Sequence, residues 1–310
     1  MDALPLHANG VDLSLDELLV YRAYGQRQNP FRAMPRASAR AGQNLTRLKG
    51  RGMEFDEVRR YQSGDDVRTI DWRVTARTGA AHTKLFREER ERPVLIFTDL
   101  GNQMQQGSAL VLKSVQAAHL AALIGWQTVA AGERIGGIIC REGHHHEHKP
   151  RARRQGISPY LESLVELHKQ PIQPESDQDQ SYLRSSLLRL RRLAHPGSVV
   201  LIISDGQQLV DAELDLLADI ARHCEVRLFE ITDPLAQRLA QCPKSQIVPV
   251  WHQGKLAQLD HQGRMQWLNA QDQQQLRLRK GLSQRGLKRS QVSAAKRLDK
   301  QMETLWQPIL

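Results

Sequence analysis

Residues 94–104 read VLIFTDLGNQM and give the clearest indication of the fold class. Val94 to Thr98 are apolar or β-branched throughout, which is the pattern of a strand buried on both faces of a parallel sheet. Asp99 ends the strand, and the glycine and asparagine after it predict a turn. In an open α/β sheet, ligands bind outside the carboxyl ends of the strands. Asp99 is therefore the first candidate for a functional side chain.

Other segments repeat the pattern of a buried strand that ends on an acid. SVVLIISD ends on Asp205, and EVRLFEITD ends on Asp233. Helical patterns such as SYLRSSLLRLRRLAH alternate with these strands, and RIGGIIC followed by REGHHHEH predicts a hairpin. Strands that alternate with helices predict an α/β fold with a doubly wound, mostly parallel sheet.

Composition narrows the class of protein. The 310 residues are 40% hydrophobic and 25% charged, as in an ordinary globular protein. The three cysteines are widely spaced without a CxxC, so we expect a reducing compartment rather than a disulfide framework. The start lacks a signal-peptide pattern, and the apolar stretch SVQAAHLAALIGWQTVAAG is typical of a buried helix rather than a membrane span. The sequence therefore predicts a cytoplasmic protein without a transmembrane segment.

The net charge of +10 is unevenly distributed. The block from Leu18 to Met53 holds eight Lys or Arg and no acid, and the block from Gln273 onward is rich in basic residues with no acid before Asp299. Such blocks bind nucleic acid, anionic membranes or acidic proteins, or they form a solvated basic surface. The sequence leaves these alternatives open.

One long motif resembles a known family. GRGMEFDEVRRYQSGDDVRTIDWRVTARTG, followed by KLFREERERPVLIFTD, is similar to the family called domain of unknown function 58 (DUF58) over roughly residues 45–235. Members of that family resemble von Willebrand factor A-like domains and are often associated with MoxR-type AAA+ ATPases. The resemblance implies one antiparallel edge strand, which the hairpin across RIGGIICREGHHHEHKPRA would supply.

The predicted organisation has three parts. Residues 1–80 form a basic N-terminal extension that contains the family motif, and residues 81–250 form the von Willebrand A-like α/β domain. Residues 251–310 form a Gln/Arg-rich C-terminal tail, with one hairpin across GKLAQLDHQGRMQWL followed by one or two helices. We expect its last segment, SAAKRLDKQMETLW, to pack weakly.

The resemblance also implies a divalent-metal site. Domains of this kind often hold a metal through a DxSxS turn, a threonine from a second loop and an aspartate from a third. Asp99 matches the first aspartate and Asp205 the last, but Gly101 and Gln103 stand where the serines are expected. The candidate ligands for Mg²⁺ or Mn²⁺ are thus Asp99, Gln103 and Asp205, an incomplete set for a cation that takes about six oxygens. The alternative is that each aspartate only caps the loop that follows it.

The second loop of that site falls in DQDQSYLRSSLL, which contains no threonine. It offers Ser181 and Ser185 as hydroxyl donors. A separate metal candidate is HHHEH, in which His144, His146 and His148 share one face of a strand. Alternate residues lie about 7 Å apart, so an edge hairpin with adventitious metal affinity is the preferred interpretation.

The motif RRYQSGDDVRTIDWR mixes arginines with aspartates around one tryptophan. One interpretation is a docking surface for a partner, in which arginine forks and carboxylates give specificity. The other is an internal salt-bridge network, with the tryptophan plugged into the core. The candidate partner-binding residues are Arg59, Tyr61, Asp65, Asp66, Arg68, Asp71, Trp72 and Arg77.

The sequence contains no GxSxG, no phosphate-binding loop and no GxGxxG after a strand, so it predicts a protein that is not an enzyme. The leading hypothesis is an adaptor that resembles partners of MoxR-type AAA+ ATPases and recognises a client protein, with no small-molecule substrate. One alternative is a nucleic-acid-binding protein that uses the basic blocks. The other is a metal-dependent enzyme at the Asp99 and Asp205 face.

Overall fold

The computed structural model describes residues 3–26, 30, 53–88, 92–171, 182–252 and 255–306. The chain divides into two compact units. The smaller unit comprises residues 38–91, and the larger unit comprises residues 1–37 with residues 92–310.

Strands and helices alternate along most of the chain. The strands are β1 (Met53–Arg60), β2 (His82–Glu88), β3 (Val94–Asp99), β4 (Arg134–Arg141), β5 (His144–Ala152), β6 (Val199–Ser204), β7 (Glu225–Thr232), β8 (Val248–His252), β9 (Lys255–Leu259) and β10 (Lys288–Ser293). The α-helices are α1 (Leu15–Val20), α2 (Trp72–Thr78), α3 (Lys113–Ala130), α4 (Arg154–His168), α5 (Tyr182–Leu193), α6 (Asp211–Ala221), α7 (Leu235–Gln241) and α8 (His261–Gln284).

The larger unit is built on a six-stranded sheet in the order β10-β7-β6-β3-β4-β5. All neighbouring strands in it run parallel except β4 and β5, which pair antiparallel at one edge. The predicted mostly parallel α/β sheet and its antiparallel edge strand are therefore confirmed. Parallel neighbours place the carboxyl ends of β3, β6, β7 and β10 along one edge of the sheet.

Two apolar layers cover the two faces of this sheet. Val94 and Ile96 of β3 face the layer formed with α1, α3 and α4. Leu95 and Phe97 face the layer formed with α5, α6 and α8. Because successive side chains of a strand point to opposite faces, an apolar run in β3 serves both layers.

The helix α3 is buried nearly all round because α1 and α4 cover the side that does not face the sheet. Trp126 donates from its indole nitrogen to the carbonyl oxygen of Leu18 at 3.3 Å, which ties α3 to α1. A serine such as Ser108 is a good helix N-cap, but α3 begins only at Lys113. Ser108 instead donates to the carboxylate of Asp233. No helix in the described part of the chain is both long and apolar enough to span a bilayer.

The antiparallel hairpin of β4 and β5 depends on one glycine. Gly137 has φ +146°, and an added Cβ would lie 1.9 Å from the carbonyl oxygen of Ile96 on β3. The β4–β5 register shifts between Ile135 and Gly137. Glycine is required here because the neighbouring backbone approaches closely at an irregular point of the ladder.

The C-terminal segment packs more closely than the sequence predicts. β10 pairs in parallel with β7 and forms the second edge of the central sheet. The prediction of weak packing after residue 292 is wrong, since Leu298 and Leu305 are almost fully buried. Trp306 packs edge-on against Phe229 of β7 at 5.3 Å between ring centroids. The hairpin predicted across GKLAQLDHQGRMQWL is wrong in its second half, because the residues from His261 onward form α8. Its first half forms β9, which pairs with β8 in a separate two-stranded sheet.

The smaller unit contains a two-stranded antiparallel sheet and one short helix. β1 pairs with β2 from Met53 opposite Glu88 to Arg60 opposite His82. The Asp71 carboxylate accepts from two backbone N–H groups of the first turn and caps α2. Gly79, with φ +70°, ends that helix in the left-handed conformation. The segment SGDD forms a turn that leads into the 3-10 turn Val67–Thr69.

Candidate functional site at the carboxyl ends of the central strands

Asp99 lies at the end of β3, only 3% exposed, and the chain itself supplies its hydrogen-bond donors. One carboxylate oxygen accepts from the Gly101 N–H at 2.9 Å and from the Tyr182 hydroxyl at 3.0 Å. The other accepts from the Ser204 hydroxyl at 2.7 Å. The acid predicted at this position is thus held in place by three neighbouring groups.

The environment makes Asp99 a weaker acid than usual. Burial and the negative charge of Asp205 raise its pKa to about 7. The donors from Gly101 and Ser204 oppose this rise but do not cancel it. Glu142, 3% exposed, adds further negative potential and accepts from the Asn102 N–H at 2.8 Å. A carboxyl group titrating near neutrality would suit a general acid or base only if a substrate could reach it, and this one is buried.

Asp205 follows β6 and makes a buried ion pair with Lys113. The Lys113 ammonium lies 2.7 Å from one carboxylate oxygen, and the two side chains are 3% and 5% exposed. The other oxygen accepts from the Gln207 N–H at 3.0 Å. Both oxygens of Asp205 are therefore engaged by the chain.

The remaining predicted ligand positions are arranged differently from a metal-binding turn. Gln103 is half-buried in the 3-10 turn Asn102–Met104, where Gly101 precedes it. A Cβ on Gly101 would lie 2.1 Å from the Tyr182 hydroxyl oxygen, so the phenol fills the room of a serine side chain. Ser185 donates to the backbone oxygen of Tyr182, and Ser181 lies outside the described residues.

Sequence reasoning missed three of the groups that define this face. Tyr182 and Ser204 donate to Asp99, and Lys113 pairs with Asp205. Lys113 carried a readable signal, because it is a lone cation at the start of a long apolar helix. Tyr182 carried none, since its partner is distant in sequence and is set by the packing of α5. We call Asp99, Lys113, Glu142, Tyr182 and Asp205 the carboxyl-end face.

A polar cleft of about 350 Å³ adjoins this face. It lies outside the ends of β6, β7 and β10 and is bordered by α8. Asp205, Lys113 and Glu230 line it, and Glu230 pairs with Arg289 at 2.9 Å. Glutamines predominate among its neutral polar residues: Gln106, Gln207, Gln237, Gln271, Gln274, Gln275 and Gln291.

The histidine tract forms β5, and its side chains make separate contacts. His148 bonds the Ser163 hydroxyl at 3.0 Å, and His146 lies 3.8 Å from a carboxylate oxygen of Glu166. These contacts place His146 and His148 against α4. Among the residues that the structure describes, no group of three or more His, Cys, Asp or Glu side chains is arranged to hold a metal ion.

In the smaller unit, the charged motif residues bind one another locally. Arg59 pairs with Asp65 at 2.7 Å, and Lys84 approaches Asp71 at 3.5 Å. The carboxylates of Asp65 and Asp71 have lowered pKa values, chiefly because each accepts a backbone N–H. Asp66 caps the 3-10 turn Val67–Thr69.

The tryptophan of the motif is exposed. The alternative in which Trp72 plugs into the core is wrong, because its side chain is 70% exposed. Val67 is also 60% exposed. Tyr61 is half-buried, with its hydroxyl 3.4 Å from the Asp65 carbonyl oxygen. We call five exposed apolar and basic residues of this segment the Trp72 surface: Val67, Arg68, Trp72, Arg73 and Arg77.

The structure describes little of the first basic block and all of the second. Most of the block from Leu18 to Met53 lies outside the described residues. In the second block, Arg285 pairs with Asp211 and Asp215. Further pairs in this block join Lys288 to Glu225, Arg289 to Glu230 and Arg297 to Asp299.

Comparison with known proteins gives one family and three relatives. The family model described as "Protein of unknown function DUF58" matches residues 57–275. Uncharacterized proteins of Mycobacterium bovis (Mb1516) and of two Mycobacterium tuberculosis strains (MT1527 and Rv1480) are 31% identical to the chain over 193 residues. The match covers 62% of this chain and 59% of the length of each relative.

Proposed function

This chain belongs to the DUF58 family of proteins of unknown function, and we propose that it is a non-enzymatic protein-interaction module. In this proposal it works with a MoxR-type AAA+ ATPase, which supplies energy, while this chain supplies recognition of a client protein. The proposal includes a von Willebrand factor A-like domain as the larger unit, and the antiparallel edge strand β5 supports this.

The exposure of Trp72 carries the proposal. Large aromatic side chains are normally buried, and a tryptophan that is 70% exposed loses the free energy of that burial. Tryptophan and arginine are the residues that dominate binding energy when a partner covers them. The Trp72 surface contains both kinds of side chain, and its apolar residue Val67 is 60% exposed.

The local ion pairs support the same function. Asp65 and Asp71 are used to hold β1, β2 and α2 together, so they fix the scaffold that presents Trp72. A rigid scaffold lowers the entropy that a partner must remove on binding. The two interpretations of this motif therefore combine, with the carboxylates structural and the tryptophan and arginines available to a partner.

The enzymatic alternative draws less support from the larger unit. Asp99 is buried under Tyr182 and Ser204, and Asp205 is paired with Lys113. A metal-dependent reaction needs carboxylate oxygens that are open to the ion and to substrate. Here the same oxygens accept hydrogen bonds from the chain.

The nucleic-acid alternative draws less support from the second basic block. Four of its cations pair with acids of the same unit, which reduces the charge available to phosphates: Arg285, Lys288, Arg289 and Arg297. Binding to nucleic acid would weaken steeply with salt, with a slope set by the number of phosphates contacted. A salt titration with random-sequence DNA separates this alternative from the adaptor proposal.

The test is a pull-down of a MoxR-type ATPase, with and without nucleotide, using the full chain. We expect Trp72→Ala and Arg68→Ala each to weaken capture by about tenfold or more, as for truncated hot-spot residues. Ile247→Ala is the matched control, since Ile247 is 59% exposed in the larger unit. If both motif variants fold and capture the ATPase as well as wild type does, the Trp72 surface is not the binding site.

A further inference from the structure

The carboxyl-end face does not fit the divalent metal that the von Willebrand A-like reading implies. A serine at position 101 would donate a hydroxyl oxygen to such an ion, but an added Cβ there would meet the Tyr182 hydroxyl at 2.1 Å and the Glu142 carboxylate at 2.9 Å. The room for that ligand is already filled by the phenol, which donates to Asp99.

Lys113 holds an unusual position for a lysine. It is the first residue of the 18-residue helix α3, where the helix dipole disfavours a positive charge. It is also 3% exposed, although burial of an ammonium is costly unless it is paired. Neither local propensity nor solvation explains a lysine here. The Asp205 carboxylate at 2.7 Å does, since each side chain neutralises the other.

The buried acids of the carboxyl-end face need a compensating positive charge. Asp99, Glu142 and Asp205 are all buried at this edge of the sheet, and Asp99 and Glu142 accept from the adjacent backbone N–H groups of Gly101 and Asn102. Three buried acids at one sheet edge repel one another unless positive charge is placed among them. Lys113 supplies that charge from within the same buried cluster.

We infer that the Lys113 ammonium is a built-in cation that takes the place of a divalent metal at the carboxyl-end face. The face is then formed permanently by the chain, and whatever it contacts does so without a metal bridge. Chelators and divalent ions should leave it unchanged. This inference does not depend on the Trp72 surface or on the ATPase partner.

The test combines a metal titration with a double-mutant cycle on the full chain. Chelator-treated wild type and Asp205→Asn are each titrated with Mn²⁺ in a calorimeter. We expect no Mn²⁺ binding at Asp205, so the two proteins should give the same heat. Any heat that persists in Asp205→Asn belongs to other groups, such as the histidines of β5. We expect Lys113→Met to lower the melting temperature by about 10 °C, because it leaves a buried carboxylate without its counterion.

The double variant Lys113→Met/Asp205→Asn should regain much of that loss, since neither charge then remains. Mn²⁺ binding to wild type that Asp205→Asn abolishes would overturn the inference. A double variant no more stable than Lys113→Met would also overturn it. If Lys113→Met does not fold, recovery of folding in the double variant gives the same answer as the melting temperatures.

Discussion

The carboxyl-end face and the Trp72 surface make opposite use of the same kinds of residue. In the larger unit, the acidic side chains typical of catalytic or metal sites are buried and engaged by neighbouring side chains. Asp99 accepts hydrogen bonds from Tyr182 and Ser204, and Asp205 pairs with Lys113. In the smaller unit, Asp65 forms a local ion pair and Asp71 caps a helix, while the Trp72 ring is exposed to solvent. Residues typical of catalysis can thus be structural, and a residue typical of the core can be exposed.

Two tryptophans give the largest contrast. Trp126 on α3 is 5% exposed and hydrogen-bonded to Leu18, whereas Trp72 is 70% exposed. We expect Trp126→Ala to lower the free energy of unfolding by about 3–5 kcal/mol through the cavity it leaves. Trp72→Ala should change it by less than about 0.5 kcal/mol. Urea denaturation measures both, and a large loss for Trp72→Ala would show that Trp72 packs rather than binds.

The buried acid gives the next contrast, through pH. The pKa of Asp99 is raised to about 7, so the folded protein binds this proton more tightly than the unfolded chain. Stability should therefore fall as pH rises from about 4 to about 7, by up to about 4 kcal/mol, and then level off. The Asp99→Asn variant should lack this decrease in stability with rising pH.

The measurement is the difference in unfolding free energy between wild type and Asp99→Asn across that pH range. Burial lowers the pKa of His168 to about 4, which makes stability rise with pH, but this contribution is shared by both proteins and cancels. Glu162→Gln is the control, because Glu162 is exposed on α4 and should leave the wild-type slope intact. Parallel curves for wild type and Asp99→Asn would contradict the raised pKa.

The smallest expected effect comes from restoring a serine to the turn. Gly101→Ser should cost about 1–3 kcal/mol, because the new Cβ overlaps the Tyr182 hydroxyl. Tyr182→Phe in the same protein removes that oxygen and should recover part of the loss. Gly263→Ser, whose Cβ meets only Asp260 and Leu259 at 3.2 Å and 3.5 Å, is the matched control. A Gly101→Ser protein as stable as wild type would mean that the Tyr182 side chain moves aside at little cost in free energy.

Sequence reasoning located the ends of the central strands because a fully apolar run that stops at an acid is a local signal. Asp99 and Asp205 were found in this way, and both lie at the sheet edge. Their partners could not be found, because Tyr182 and Lys113 are distant in sequence and meet them only through the packing of α5 and α3.

Two other features escaped prediction for a physical reason. β10 reads KRSQVS, which is polar for a strand, and its buried Arg289 is tolerated only because it meets Glu230 of β7. The exposure of Trp72 also could not be read locally, since hydrophobicity indicates that a residue gains from burial but not what buries it.

The position of β10 has a consequence for synthesis of the chain. β7 is complete at Thr232, yet its neighbour on the open side begins only at Lys288, after α7, β8, β9 and α8. During that interval of translation, β7 presents a row of unpaired backbone groups, which is the feature of edge strands that templates aggregation. A chain cut before residue 288 would keep that edge open permanently, so C-terminal truncation should reduce soluble yield far more than removal of an ordinary tail.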